Sequence, residues 1–477
     1  MLRVEIPYVD PLIICAHLAD EPWLAFLDSS ARDDPRATFS WLAISPYQLI
    51  TSSTQGVCVD GKPASGAPFD VLQEALALNR QEATGQDDDA ATEGIPPIPF
   101  RGGAIGFLGY ELGRHIEQLP HPHASAPEVP EMAMGLYDVV IAFDHQTQRA
   151  FIFSTGMPET DTEARNRRAH MRAAQLQARI ARVLKPDARP PAEDWAVRAH
   201  FQADHSRKDV ESAIRSVIEY IRAGDIFQAN LTQQMRAHMP QGLSDFGLYH
   251  RLRTLSPTPF TAFLRCGPQL AVASASPERF LKLTPSGHIE TRPIKGTRPR
   301  GHEPAADDAL AAELKASAKD NAENLMIVDL MRNDLSRVSR LGSVHVPVLC
   351  GLERFSSVHH LVSVIESQLE PELGPIDLLR ATFPGGSITG APKIRAQQII
   401  HELEPFSRGV YCGSVAWIGF DGAMDSSIVI RTITRVGDTL LTHAGGGIVA
   451  DSDPAAEYEE SMVKLSPMLR ALSGEGR

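Results

Sequence analysis

The amino-acid sequence predicts an α+β protein, and three observations carry that prediction. Short apolar or alternating stretches bounded by Gly, Pro and Asp crowd the N-terminal half, as strands do. In the C-terminal half, capped segments with helical apolar spacing are mixed with such strands. The chain has 477 residues, 43% hydrophobic and 22% charged, enough to bury a substantial interior but too long for one compact core.

In the first half, FSWLAIS, YQLIT, AIGFLGY and DVVIAFD are the expected strands. The run Gly102-Gly103-Ala104-Ile105-Gly106-Phe107 lacks the full GxGxxG spacing, and no helix pattern follows it. Close strand packing or a bulge explains those glycines better than a dinucleotide loop. Residues 81–99 read as a mobile surface loop, polar, acidic and then proline-rich. A charged, alanine-rich helix is expected over 160–184, with its RNRRAH arginines on a solvated face. KPDARPPAED, residues 185–194, reads as a linker, dividing the chain into regions 1–190 and 195–472.

In the second half, Ser206 and Asp209 make a capping-box start for a helix that Gly224 ends. In GDIFQANLTQQM, Phe227, Ala229 and Leu231 alternate with Gln228, Asn230 and Thr232, predicting a strand with one apolar and one amide-bearing face. The pattern leaves open whether the polar row is a solvated edge or the lining of a site. LMIVDLM, residues 325–331, is apolar nearly all round and predicts a buried helix. Asp453 is placed to cap a helix with Pro454 at its first position.

Several clusters can carry chemistry. Arg292, Lys295, Arg298 and Arg300 crowd a segment held by Pro293, Gly296 and Pro299. That is a soluble turn, or a small-anion pocket with a lysine pointed into it. Asp320 and Glu323 share one helix face, and Glu457, Glu460 and Lys464 share another. Each set alone is a solvated face; together they can offer carboxylates to Mg²⁺, a hard ion that prefers oxygen. PGGSITGAPK, leading into a helix at Pro392, and HAGGGIVADSDP are glycine-rich loops suited to holding a carboxylate on backbone amides. Neither contains GxxxxGK[ST], which removes a P-loop reading. His359-His360 lies in an apparent strand, where one of the pair is structural.

Lys and Arg number 46 against 59 Asp and Glu, a net charge of −13. That balance argues against a general nucleic-acid or anionic-membrane binder, which needs an extended basic footprint. No apolar run approaches the ~18 residues of a membrane span, and the N-terminus lacks the long apolar stretch of a signal peptide. Cys15, Cys58, Cys266, Cys350 and Cys412 are widely spaced without a CxxC, so reduced thiols, mostly in the core, in a cytoplasmic protein are expected.

GDIFQANLT, SPERF, PIKGT, AENLMIVDLMRNDL, SSVHHLVS, FPGGSITGAPK, YCGSVAWIG and AGGGIVADSDPAAEYEE occur in the order found in chorismate-utilising enzymes. The resemblance spans roughly residues 200–472 and, more loosely, GGAIGFLGYELGR before them. The family includes anthranilate synthase large subunits, aminodeoxychorismate synthase component I, and isochorismate and salicylate synthases. It implies a large two-lobed sandwich of facing antiparallel sheets with helices outside, and a Mg²⁺ site in the C-terminal part. Lys295 stands where anthranilate synthases carry alanine, and Gln228 where isochorismate-forming members carry a lysine base. That combination resembles the members that aminate chorismate at C4; the anthranilate type is the alternative.

By the same resemblance, Lys295, Glu278 and His360 are the expected catalytic residues. Gln228, Thr297, Ser387, Tyr411, Arg431, Gly445, Gly446, Gly447 and Lys464 would contact substrate. Glu323 and Glu460 would hold Mg²⁺, with Asp320 and Glu457 reached through water. Arg292, Arg298 and the metal would ease deprotonation of Lys295 if they lie near it. No cysteine-nucleophile segment of a glutamine amidotransferase is visible in the sequence, so the resemblance implies that ammonia comes from glutamine through a separate glutaminase partner. Relatives also carry a tryptophan pocket between the sheets, which Phe26-Leu27-Asp28-Ser29-Ser30 would border here.

Overall fold

Side-chain alternation sets the architecture of the computed structural model, which describes residues 1–83, 98–123, 127–185, 188–192, 195–301, 303–355 and 358–475. In the paired strands Trp23–Asp28 and Phe39–Ile44, Leu24, Phe26, Leu42 and Ile44 enter one core. Ala25, Trp41 and Ala43 enter another, on the opposite face. Both faces of the sheet are therefore covered, which is why its strands read as nearly continuous apolar runs.

Two 12-stranded sheets result, with antiparallel neighbours, and each draws strands from both sides of residue 190. In one, Phe260–Cys266 pairs with Trp23–Asp28, while Thr439–Ile448 and Gln228–His238 lie towards its far edge. In the other, Ile294–Pro299 pairs with Val358–Gln368, and Ser414–Gly419 pairs with Gly103–Leu108. Ala25, Trp41 and Val272 of the first sheet share a core with Ile105, Phe107 and Trp417 of the second, so the sheets face each other. Helices Thr162–Ile180, Asp245–Leu255 and Pro454–Ser473 cover the outside of the first sheet. Ala318–Ser336 and Pro375–Thr382 cover the outside of the second.

The glycines of GGAIGF serve close packing. A Cβ on Gly106 would lie 2.0 Å from the Ala133 carbonyl oxygen, and the ladders on both sides run without a register shift. The predicted caps form: Ser206 with Asp209 in a capping box, and Asp453 accepting from the Ala456 amide at 2.9 Å. Much of the surface loop expected over 81–99, and part of the 185–194 linker, lie outside the described residues; 81–83 still belong to the helix Pro68–Ala83.

Three expectations are corrected. LMIVDLM is not buried all round: Ile327, Val328 and Met331 face the core while Leu325 is 48% exposed, because the helix lies on one face of a sheet. The RNRRAH arginines are not all on a solvated face, since Arg168 reaches over to the fully buried Asp138 carboxylate, which Arg172 of the next turn also holds. All five cysteines are free, but only Cys15 and Cys412 are buried. No helix among the described residues is long and apolar enough to cross a membrane.

Candidate active site

The polar row of GDIFQANLT proves to be buried. Gln228, Asn230, Thr232 and Gln234 alternate along Gln228–His238 and are all shielded from solvent. Thr232 donates to the Glu404 carboxylate, which is in turn held by Arg408. Gln234 bonds His443 at 2.6 Å, and the His443 ring stacks on Tyr411 at 4.9 Å. Phe227 departs from the expected apolar face: it precedes the strand and is 69% exposed. Gln228 lies where the strand begins, 1% exposed, its Oε1 without a hydrogen-bond partner among the described residues. A Cβ on Gly447 would come 2.2 Å from Gln228 Nε2, so the glycine makes room for that amide.

A bulge positions Lys295. On Ile294–Pro299, Lys295 faces Leu361 and Thr297 faces His360, leaving Gly296 unpaired with φ +76°. A side chain there would be strained, and its Cβ would meet Asp320 and Leu314 at about 3 Å. Lys295 Nζ donates to the Ser387 carbonyl at 3.2 Å. Burial lowers the Lys295 pKa, as does the charge of Lys464, while Glu323, Glu278 and Glu460 pull the other way.

Glu278, immediately before Arg279–Leu283, is 6% exposed. Burial pushes its pKa up to about 6, against hydrogen bonds from the Ser387 hydroxyl and the Ile294 amide and the charges of Lys295 and Arg431. Ser387 thus touches both groups, its carbonyl facing the lysine and its hydroxyl the acid. Arg431 lies in the left-handed region at φ +52°; its carbonyl accepts from the Ala275 amide at 3.0 Å, while its guanidinium makes no hydrogen bond or ion pair among the described residues. Its pKa is lowered by burial, with the Glu278 charge opposing. His360 bonds Thr297 Oγ1 through Nδ1 at 2.9 Å, and burial drops its pKa to about 3. His359 is the structural member of the pair, fully buried against Asp307 at 2.8 Å.

Glu457 and Glu460 gather at Gly446, and Lys319 ties this set to Glu323. A Cβ there would lie 3.3 Å from Glu457 Oε2, 3.6 Å from Lys464 Nζ and 3.8 Å from Glu460 Oε1. Lys464 pairs with Glu460 at 2.8 Å and donates to the Gly445 carbonyl at 2.9 Å. Lys319 spans Glu457 at 3.1 Å and Glu323 at 3.9 Å. Burial raises the Glu323 pKa; at Glu460 the same push is outweighed by Lys464. Among the described residues no three His, Cys, Asp or Glu side chains are arranged to hold a metal. The all-oxygen donor set nevertheless fits a hard divalent cation, and the ammonium of Lys319 already bridges two of its carboxylates.

The cations of residues 292–300 do not converge. Arg292 goes to Glu353 at 2.5 Å, Arg298 to Glu313 at 2.8 Å and Asp320 at 3.3 Å, and Arg300 to Asp307 at 2.7 Å. The depression at Lys295 therefore comes from burial and Lys464, not from the neighbouring arginines. Tyr411 stacks on His443, two residues before Gly445, and packs in the cluster that holds Ile388, the neighbour of Ser387. Sequence reading missed Lys319, although its spacing of four from Glu323 signalled the pair. It also missed Glu404 and Arg408, which had no signal because Thr232 lies 172 residues away from Glu404.

Between the sheets lies a separate cavity of about 640 Å³, bordered by Leu27, Asp28 and Ser29 with Trp41 and Trp417. Of the segment expected to border an inter-sheet pocket, Leu27, Asp28 and Ser29 line it, while Phe26 enters the core on the other face.

The chain belongs to the family of chorismate binding enzymes, whose model matches residues 28–470. It is 40% identical over 461 residues to aminodeoxychorismate synthase component 1 of Escherichia coli K12, covering 96% of this chain and 95% of that one. Anthranilate synthase component 1 of Geobacillus stearothermophilus is 36% identical, with 97% and 91% covered. Among solved structures, anthranilate synthase component I from Streptococcus pneumoniae superposes with a TM-score of 0.79 at 31% identity, covering 92% of this chain and 93% of that one.

Proposed function

We propose that the chain converts chorismate and ammonia into 4-amino-4-deoxychorismate and water, the step that leads to p-aminobenzoate and folate. Likeness to aminodeoxychorismate synthase component 1 over nearly the whole chain supports the reaction. The observation that carries the chemistry is the pair Lys295 and Glu278, with burial pushing the two pKa values towards each other across Ser387. A lysine of pKa ~10.4 costs ~4.6 kcal/mol to deprotonate at pH 7, and burial reduces that cost. A carboxyl of pKa about 6 keeps a proton to give near neutrality.

In this reading neutral Lys295 attacks C2 of chorismate, and the double bond shifts as the C4 hydroxyl leaves as water with the Glu278 proton. Ammonia then adds at C4, the double bond shifts back and the lysine is expelled. Arg431, its largely buried guanidinium without a partner among the described residues, would take a substrate carboxylate bidentately. The Gly445–Gly447 backbone, Lys464, Gln228 and Tyr411 would complete the binding surface. Thr297 holds His360 through Nδ1, and with a pKa of about 3 that imidazole stays neutral and would orient substrate. Glu323 and Glu460 would hold Mg²⁺, backed by Glu457 and Asp320, and the ion would neutralise a substrate carboxylate. All these residues fall within 195–472, which would be the catalytic region. Ammonia would come from glutamine through a separate glutaminase; the "component 1" in its relatives' names implies a second component. The reaction would take place in the cytoplasm.

Mass spectrometry of the product formed from chorismate, Mg²⁺ and ammonium tests the reading. An amine in place of the C4 hydroxyl, with the enolpyruvyl ether retained, is expected. Release of pyruvate with anthranilate would overturn it, as would turnover to isochorismate without a nitrogen source.

A further inference from the structure

The loop that presents Ser387 is gripped at both ends by one side chain outside the site. Lys393 opens the helix Lys393–Leu403, an unfavourable place for a cation because helix N-termini carry partial positive charge. Its Nζ instead reaches the Asp334 carboxylate at 2.5 Å and the Thr382 carbonyl at 2.8 Å. Thr382 is the last residue before the loop and Lys393 the first after it. Asp334 lies near the C-terminal end of Ala318–Ser336, the helix whose first turns carry Asp320 and Glu323. Asp334 is 3% exposed, and the Lys393 side chain 11%. Arg337, one turn on, approaches Asp334 at 3.6 Å and donates to the Ala381 carbonyl.

The same helix supports the loop from below. A Cβ on Gly386 would sit 2.8 Å from Leu330 Cδ2 and 3.4 Å from Met331 Sδ. From there Ser387 faces Lys295 with its carbonyl and Glu278 with its hydroxyl. Among the described residues neither Glu278 nor Lys295 bonds Lys393 or Asp334, which hold only the ends of the loop that carries Ser387. Two alternative arrangements of such a loop need differ by only ~1 Å to lose ~10²-fold in rate.

We propose that Lys393 and Asp334 are positioning residues, a buried clamp that closes the 383–392 loop onto the Ala318–Ser336 helix and so sets Ser387 against Glu278 and Lys295. The inference rests on the proposed acid role of Glu278. Loosening the clamp withdraws the Ser387 hydroxyl from the Glu278 carboxylate. That hydrogen bond favours the ionised form, so its loss raises the Glu278 pKa while Lys295 and Arg431, the charges facing Glu278, remain. Activity that needs protonated Glu278 then persists to higher pH, at a lower maximum.

Lys393→Met and Gly386→Ala test this in the intact chain with chorismate, Mg²⁺ and ammonium. The first removes the clamp; the second pushes the loop off the helix without disturbing a buried charge. Both are expected to lower kcat by ~10²-fold, leave KM for chorismate within a few-fold, and move the alkaline limb of the kcat profile upward. A folded Gly386→Ala with wild-type kcat and an unmoved limb would overturn the clamp, as would Lys393→Met that lowers Tm while its folded fraction keeps the wild-type profile. A wild-type chain with no C4 amination under these conditions would instead overturn the proposed function.

Discussion

Replacing Glu278 by Gln should cost the protein its activity and increase its stability, and the structure gives a size for both effects. The carboxyl is 6% exposed, and its pKa rises from an ordinary 4.5 to about 6 on folding, chiefly through burial. A folded pKa above the unfolded one means that the folded state favours the proton. The ionised carboxylate is then a burden of about 2 kcal/mol, at ~1.36 kcal/mol for each step of one in pKa. It is absent below pH 4.5, grows through the interval and is complete above about pH 6. A Gln side chain is never ionised. Urea denaturation should therefore find Glu278→Gln more stable than the wild type by about 2 kcal/mol at pH 8, with the gain gone near pH 4. In the chorismate–ammonium assay the same variant should lose ~10²–10⁴-fold in kcat, the usual worth of a general acid. A wild-type kcat would mean that another group supplies the proton. A stability change independent of pH would mean that Glu278 is not a buried acid held partly against its charge.

Glu323→Gln and Glu460→Gln should each raise the Mg²⁺ concentration needed for half-maximal activity by about tenfold or more, because a neutral amide replaces a charged oxygen. An unchanged Mg²⁺ titration in both would remove them from the metal site. Glu404→Ala should lower the unfolding free energy by about 3–5 kcal/mol, since it strands Arg408, which is 2% exposed and otherwise paired at 2.7 Å. Loss of less than 1 kcal/mol in a denaturant titration would mean that the pair is not buried as described.

Local structure was legible where local chemistry sets it. Caps at Ser206 and Asp453, the alternating strands and the tight glycine strand at 103–108 all follow from neighbours in sequence. Long-range pairing was not. Trp23–Asp28 lies beside Phe260–Cys266, and no periodicity records a partner more than two hundred residues away. The site residues were legible through motif resemblance, yet their settings were not. Arg292 and Arg298 look like neighbours of Lys295 in sequence, but strand alternation and nearby acids carry their charges elsewhere. An apolar run such as LMIVDLM has no record of which of its sides meets the sheet, so its exposed Leu325 was invisible.

The account stands or falls on Lys295 as a nucleophile. Incubating the protein with chorismate and Mg²⁺ while withholding ammonia, then digesting it for peptide mass spectrometry, tests this directly. The predicted result is a mass equal to chorismate less water on the peptide containing Lys295, lost when ammonia is added and never formed by Lys295→Ala. Lys295→Arg should be inactive, because a guanidinium stays protonated and cannot attack. The contradictory result is Lys295→Arg that still makes 4-amino-4-deoxychorismate, with no adduct on the wild type at any ammonia concentration. Lys295 would then be one more cation holding a dianionic substrate.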